Sequence, residues 1–283
     1  MNIAIFYNPS KDEAKDLAKG ICQFLSEKGV HIFAEDDQSD GLKARGLSTC
    51  DPKKIQFAIC LGGDGSILRL IHRHPDIQAP ILGINLGSLG FLADTPLSEV
   101  YPTLQDFLDG KYRIQERIVM DGVTSANDEC FAVNELVIHR ARNPSLIDLA
   151  IYVDGDYLNT FSADGVIVST PTGSTAYSLA AGGPILTPEL DVFVITPISA
   201  HTISNRPIVL MPKQEVRIEY MSKHDPVEIS YDGFTNFMLS PQESISIKRS
   251  ERKFRLVNMF DHDYFATLRT KLGWTGKLKN MRL

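Results

Sequence analysis

The run Leu61-Gly62-Gly63-Asp64-Gly65-Ser66 puts one carboxylate among three glycines, between an apolar run (Phe57 to Leu61) and a helical pattern with apolar Ile67, Leu68 and Ile71. Glycine has no Cβ, so a phosphate or a ligand backbone can come close. A helix start presents unpaired N–H groups and a partial positive charge, which favours anions. A carboxylate at such a corner suits two tasks: taking the proton of a hydroxyl that attacks a phosphate, or holding a metal ion. The same spacing also builds a turn in which Asp64 caps the helix, and both readings stay open at this point. Two other phosphate loops are excluded. No Lys-Ser or Lys-Thr follows the glycines, and Leu68 stands where a dinucleotide fingerprint needs its third glycine.

Three further stretches carry polar groups where ligands bind. Asp164 to Tyr177 reads as turn, buried strand, polar turn and helix start, with hydroxyls and N–H groups crowded into Thr170-Pro171-Thr172-Gly173-Ser174-Thr175. That start can hold a phosphate or ribose, and Tyr177 can pack on a base; an ordinary Ser/Thr cap explains it equally. Asn134-Glu135 interrupts an apolar strand from Ala132 to Ile138, so one of the two faces a core or cleft, or both lie on a wet edge. Leu86 to Leu92 is a second glycine-rich loop, which brings Phe91 beside the same ligand or serves as a hinge. The histidines are less informative. His72 and His74 do not share a helix face, and His201 reads as a structural hydrogen bonder.

The elements that must position these groups follow from periodicity. Asn2 to Tyr7 is a strand, and Ser10 with Glu13 forms a capping box for a helix carrying Ala14, Leu17, Ala18, Ile21, Cys22 and Leu25 on one face. Gly29 ends it and Val30 to Ala34 is the next strand, giving a right-handed parallel unit. Glu35 to Lys54 shows little periodicity and reads as a loop or weak helix. A short helix from Ser66 to His74, a strand from Pro80 to Asn85 and a helix from Leu97 to Leu108 follow. From Tyr112 onward short strands separated by turns predict a mainly antiparallel β domain. Helical spacing returns at Tyr264, Phe265, Leu268 and Leu272. The expected fold class is an α/β N-terminal domain with a parallel Rossmann-like sheet, then a mainly antiparallel β domain, with the last helix returning to the first. The expected segments are 1–100, 101–260 and 261–283.

Composition sets outer bounds. The chain has 283 residues, 43 % hydrophobic and 23 % charged, with a formal net charge of −6, which argues against a general nucleic-acid binder. No apolar run approaches the roughly 20 residues of a membrane span, and Met1 to Phe6 reads as a strand, not a signal peptide. Cys22, Cys50, Cys60 and Cys130 lack zinc-ligand spacing and read as reduced thiols of a cytoplasmic protein.

Taken together, Gly62-Gly63-Asp64-Gly65-Ser66, Asn85 to Asp94, Asn134-Glu135, Asp164 to Tyr177 and Arg206-Pro207-Ile208-Val209 resemble the ordered motif set of the NAD kinases, over residues 1 to about 260. The glycine motif alone is shared with 6-phosphofructokinases and diacylglycerol kinases; Thr170 to Tyr177 is much more specific. The resemblance implies ATP-dependent phosphorylation of the adenosine ribose 2′-hydroxyl of NAD. It implies Asp64 as the catalytic carboxylate, with Gly62, Gly63 and Gly65 leaving room for phosphates. It places Asn134 and Glu135 on the NAD adenosine, and Asp164, Thr175, Ala176 and Tyr177 around the nicotinamide and adenine ends. Arg69, Phe91, Ser162 and Ser178 are carried over as further binding residues, although many members have a basic residue where Ser162 stands. Asp232-Gly233 matches a family turn, but Phe234 follows where many members have glutamine. The resemblance further implies a divalent ion, Mg²⁺ carried by ATP, with its ligands unassigned, and a homodimer or homotetramer. A diacylglycerol-type lipid kinase would need exposed apolar loops, and none stands out. A non-catalytic dinucleotide sensor would not need Asp64.

Overall fold

The computed structural model describes residues 1–10, 12–202, 204–211, 215–223, 225–260 and 263–276. The chain forms two compact units, Met1–Gln115 with Arg255–Leu283, and Glu116–Phe254. The first unit is thus built from two separate parts of the chain, with the second unit inserted between Gln115 and Arg255.

In the first unit the elements are β1 (Asn2–Tyr7), α1 (Asp12–Glu27), β2 (His31–Ala34), α2 (Asp36–Leu42), β3 (Arg45–Gly46), β4 (Phe57–Gly62), α3 (Asp64–Arg73), β5 (Ile81–Asn85), β6 (Thr95–Pro96) and α4 (Val100–Leu108). The strands pair in parallel in the order β5-β4-β1-β2-β3, with β6 on the far side of β5. Parallel strands covered by helices are apolar on both faces, and Ile3, Ile5, Ile59, Leu61, Leu82 and Ile84 are all fully buried. Helix α1 buries Ala14, Ala18, Ile21, Cys22 and Leu25 against them. Two local expectations change. Ser10 donates both its amide and its hydroxyl to Asn8 Oδ1, at 3.1 and 2.8 Å, so the Ser10 amide that a capping box gives to Glu13 goes to Asn8. The stretch read as a loop or weak helix contains α2 and β3. Asp36 holds that stretch, its Oδ1 accepting from the Ser48 amide and hydroxyl at 3.2 and 3.1 Å. Side-chain bonds there do what apolar periodicity does elsewhere.

The second unit contains most of β7 (Tyr112–Thr124), then β8 (Glu129–Ala132), β9 (Glu135–His139), β10 (Ile147–Val153), β11 (Asp156–Ala163), β12 (Gly165–Ser169), α5 (Tyr177–Ala180), β13 (Phe193–Ile198), β14 (Ile208–Leu210), β15 (Val216–Tyr220), β16 (Val227–Tyr231), β17 (Phe234–Leu239) and most of β18 (Ser244–Met259). One antiparallel set runs β11-β10-β15-β18, with β7 on β18 and β8 on β7; the other runs β14-β13-β12-β9-β16-β17. Their apolar faces share one core that includes Ile138, Leu149, Val166, Phe193, Ile218 and Ile245. The expected strand from Ala132 to Ile138 is broken at Val133-Asn134, between β8 and β9.

The end of β18 returns to the first unit, where Leu256 pairs in parallel with Ile81 of β5. Helix α6 (Tyr264–Leu272) follows, capped by the Asp263 side chain accepting from the Phe265 amide and by Gly273 at φ 64°. It buries Thr267 and Leu268, and its Tyr264 ring lies 6.3 Å from that of Phe91. The last helix therefore packs back on the α/β unit.

Candidate active site

In the first unit, β4 ends at Gly62 and Gly63 is the N-cap of α3, which makes Asp64 the first residue of the helix. Its side chain does not cap that helix. The carboxylate instead reaches the loop after β5: Oδ2 accepts from the Phe91 amide at 2.9 Å, and Oδ1 from the Leu92 and Ala93 amides, both at 3.0 Å. Three consecutive N–H groups thus converge on one anion, which satisfies donors that would otherwise be lost in a half-buried loop. Asn85 completes the loop, donating to the Ser88 and Ala93 carbonyls at 2.6 and 3.1 Å and accepting from the Gly87 amide at 2.7 Å. Gly90 is sterically required, because a Cβ there would lie 2.1 Å from Asp64 Oδ1.

A cavity of about 340 Å³ lies over this corner, lined by Asn8, Gly62, Gly63, Ser66, Arg69 and the Asn85–Ser88 segment. A Cβ on Gly63 meets nothing within 4 Å, and one on Gly65 meets only the end of Arg69 at 3.9 Å, so packing does not demand glycine at either position. Arg69 is exposed and donates to Ser66 Oγ at 3.3 Å. The Phe91 ring does not stand alone. It lies beside Tyr264, and Lys271 Nζ sits 5.7 Å from its centroid.

The second unit repeats the device. Asp232, buried in the turn after β16 at φ 47°, accepts from the Val133 amide at 2.8 Å (Oδ2) and from the Asn134 and Glu135 amides at 2.7 and 3.3 Å (Oδ1). This carboxylate is the reason the strand breaks at Val133-Asn134. On the other side, the Thr170 amide donates to the Asn134 carbonyl at 2.9 Å, and the Thr170 hydroxyl donates to the Val133 carbonyl at 2.5 Å. Gly173 presses on the same place, since a Cβ there would fall 2.2 Å from the Asn134 carbonyl oxygen. Sequence reasoning noted Asp232 only as part of a turn; the signal for its role is a carboxylate in a tight turn, too general to pick out.

Glu135 is 7 % exposed. The Tyr177 amide donates to its carboxylate, yet burial, and then the charge of Asp232, push its pKa from 4.5 up to about 8. Its Oε2 has no hydrogen-bond partner among the described residues. At neutral pH the group is mostly protonated and can donate. The linkage has a definite sign. A carboxyl whose folded pKa exceeds its unfolded value stabilises the fold fully below about pH 4.5, and this contribution is lost as pH rises through about 8. Glu135→Gln is therefore expected to flatten the pH dependence of stability across that window, read from urea midpoints at successive pH values. An unchanged slope would mean that Glu135 titrates normally.

The other expected site residues separate into two groups. Tyr177 is 41 % exposed at the start of α5, with Thr175 and Ala176 immediately before it. Thr175 donates to the Thr172 carbonyl at 3.3 Å. Asp164 is ion-paired to Arg140, whose Nε lies 2.7 Å from Oδ1. Ser162, half-buried, gives its hydroxyl to Asp148 Oδ1. Ser178 is fully buried, its hydroxyl 3.0 Å from Thr196 Oγ1. His201 is exposed, and its backbone amide donates to the Ser162 carbonyl.

Comparison with known proteins matches both units. The ATP-NAD kinase N-terminal domain model matches residues 3–112, and the ATP-NAD kinase C-terminal domain model matches residues 133–259. The NAD kinase of Protochlamydia amoebophila (strain UWE25) is 60 % identical over 277 residues, covering 98 % of this chain and 99 % of its own. That of Pseudomonas entomophila (strain L48) is 37 % identical over 290 residues, covering 98 % and 97 %. Among solved structures, yeast NADH kinase complexed with NADH superposes with a TM-score of 0.86 at 25 % identity, covering 100 % of this chain and 90 % of that one. An NAD kinase from Archaeoglobus fulgidus in complex with ATP gives 0.75 at 25 % identity, covering 98 % and 100 %. With both units matched and relatives aligned end to end, the chain belongs to the NAD kinase family, enzymes that phosphorylate NAD with ATP to make NADP.

Proposed function

We propose that Asp64 is the group that receives or orients the ribose 2′-hydroxyl proton in this reaction. The observation that carries the reading is the hydrogen-bond inventory of its carboxylate. A carboxylate offers about four acceptor positions. Three are filled by the amides of Phe91, Leu92 and Ala93, and Oδ2 carries only one of them. One position on Oδ2 is left for a hydroxyl. In the transfer, the 2′-oxygen forms a bond to the γ-phosphorus as the bond from that phosphorus to the bridging oxygen breaks. The hydroxyl proton passes to Asp64 and on to water, and ADP leaves. Gly62 and Gly63, with Arg69, line the space read as the phosphate site, and Gly65 follows Asp64 in the first turn of α3.

Among the described residues no three His, Cys, Asp or Glu side chains gather where they could share an ion. The divalent ion is accordingly read as arriving with the triphosphate, where it neutralises charge. Activity is expected to vanish in excess EDTA and to return with added Mg²⁺; full activity in the chelator would remove the metal from the scheme. In the second unit, Asn134, Glu135, Asp164, Thr175, Ala176 and Tyr177 are read as the NAD-binding set. The exposed Tyr177 ring and the unpaired Glu135 Oε2 support that reading. Free cysteines at 22, 50, 60 and 130 accord with a reducing, cytoplasmic setting. No helix among the described residues is long and apolar enough to cross a membrane. Assembly as a homodimer or homotetramer is part of the same reading.

The assay is direct. The full chain with ATP, Mg²⁺ and NAD should give a product reduced by an NADP-specific dehydrogenase, with the new phosphate on the 2′-oxygen by ³¹P NMR. Diacylglycerol in place of NAD should give no phosphorylated lipid; phosphatidic acid instead of NADP would overturn the reading.

A further inference from the structure

A second cavity in the first unit, of about 360 Å³, is used by nothing described so far. It shares Asn8, Leu61, Ser66 and Arg69 with the cavity over the glycine corner. The strand order β5-β4-β1-β2-β3 explains its place. The chain moves from β1 to β2 in one direction and from β4 to β5 in the other. The seam between β1 and β4 is thus a topological switch point, and crevices at such seams open at the carboxyl ends of the strands.

Two side chains in this cavity have unused hydrogen-bonding capacity. Gln38 is 8 % exposed, and its Oε1 has no partner among the described residues. A buried acceptor left unpaired calls for a donor from outside the protein. Glu35 directly follows β2, the position from which an acidic residue holds a ribose hydroxyl in dinucleotide-binding sheets. Its Oε1 takes both His74 Nε2 at 2.7 Å and Arg73 Nε at 3.3 Å, so Oε2 can still accept. Flat walls are also present: the rings of Phe6 and His74 lie 5.2 Å apart on the same lining.

We propose that this cavity seats the nucleoside of the phosphoryl donor, with Gln38 Oε1 accepting from the exocyclic amino group of adenine and Glu35 Oε2 from a ribose hydroxyl. The proposal rests on the glycine corner holding the phosphates of ATP, because the shared lining joins the two cavities. It makes Gln38 a specificity residue. An amino-bearing base satisfies Oε1 as the amide stands, whereas a 6-oxo base requires the amide to turn over and aim Nε2 at the base.

ATP and inosine triphosphate differ at that position and are the donors to compare, with NAD saturating and the full chain as enzyme. The native chain is expected to prefer ATP by roughly 10-fold or more in kcat/KM. In Gln38→Met the preference should fall to within about threefold, through a raised KM for ATP and with the KM for NAD unchanged. The thermal midpoint of the variant should stay level or rise, since the change deletes an unpaired buried acceptor. Equal use of both donors by the native chain overturns the proposal, and that comparison needs no variant. An undiminished preference in Gln38→Met overturns it as well. Neither result bears on Asp64, whose variant is assayed with ATP alone.

Discussion

Asp64→Asn is expected to lower NADP formation at least about 100-fold, some 2.7 kcal/mol in the transition state, with KM values for ATP and NAD near native. The geometry adds a complication. The aspartate also anchors the Phe91, Leu92 and Ala93 amides, and an asparagine must turn an NH₂ toward at least one of these donors. Part of the loss would then come from a loosened loop. The urea midpoint separates the two causes. A loosened loop lowers stability as well as rate, whereas loss of the proton acceptor lowers the rate alone. If chemistry depends on the carboxylate, the fall in kcat far exceeds what the fall in midpoint accounts for. A near-native rate in Asp64→Asn would reduce Asp64 to a loop anchor.

The second large effect is expected at Asp232. Asp232→Ala leaves the amides of Val133, Asn134 and Glu135 without their acceptor. Orphaned buried donors cost about 1–3 kcal/mol each, and partial relaxation toward water brings the sum to about 3–5 kcal/mol. The urea midpoint should fall accordingly with the slope preserved. Asp232→Asn, which keeps one acceptor oxygen, should lose less and allow kinetics. There the KM for NAD should rise more than kcat falls, because the Asn134-Glu135 segment loses its fixed presentation. A native midpoint in Asp232→Ala would show that the turn is held by something else.

These two aspartates show why a site is harder to read than a fold. The parallel unit, the glycine corner and the antiparallel β domain announce themselves within windows of ten to twenty residues, through apolar period and turn chemistry. The final helix was legible in the same way, from Tyr264 to Leu272 with Gly273 after it. The stretch at 35–54, read only as a loop or weak helix, fits the same rule. Its α2 is held by hydrogen bonds of Asp36 and Ser39, and polar side chains leave no period to detect.

The candidate residues were legible as types, but their employment was not. Asp64 reads equally as a helix cap or as a base until its partners are known, and those partners lie 27 to 29 positions away. Asp232 holds amides 97 to 99 positions away. Ser178, carried over from the resemblance as a binding residue, is fully buried with its hydroxyl beside that of Thr196. Local pattern dictates which way a backbone runs, because sterics and hydrophobic period act over a few residues. Which carboxylate meets which amide depends on strands brought together from distant parts of the chain, and no short-range rule encodes that meeting.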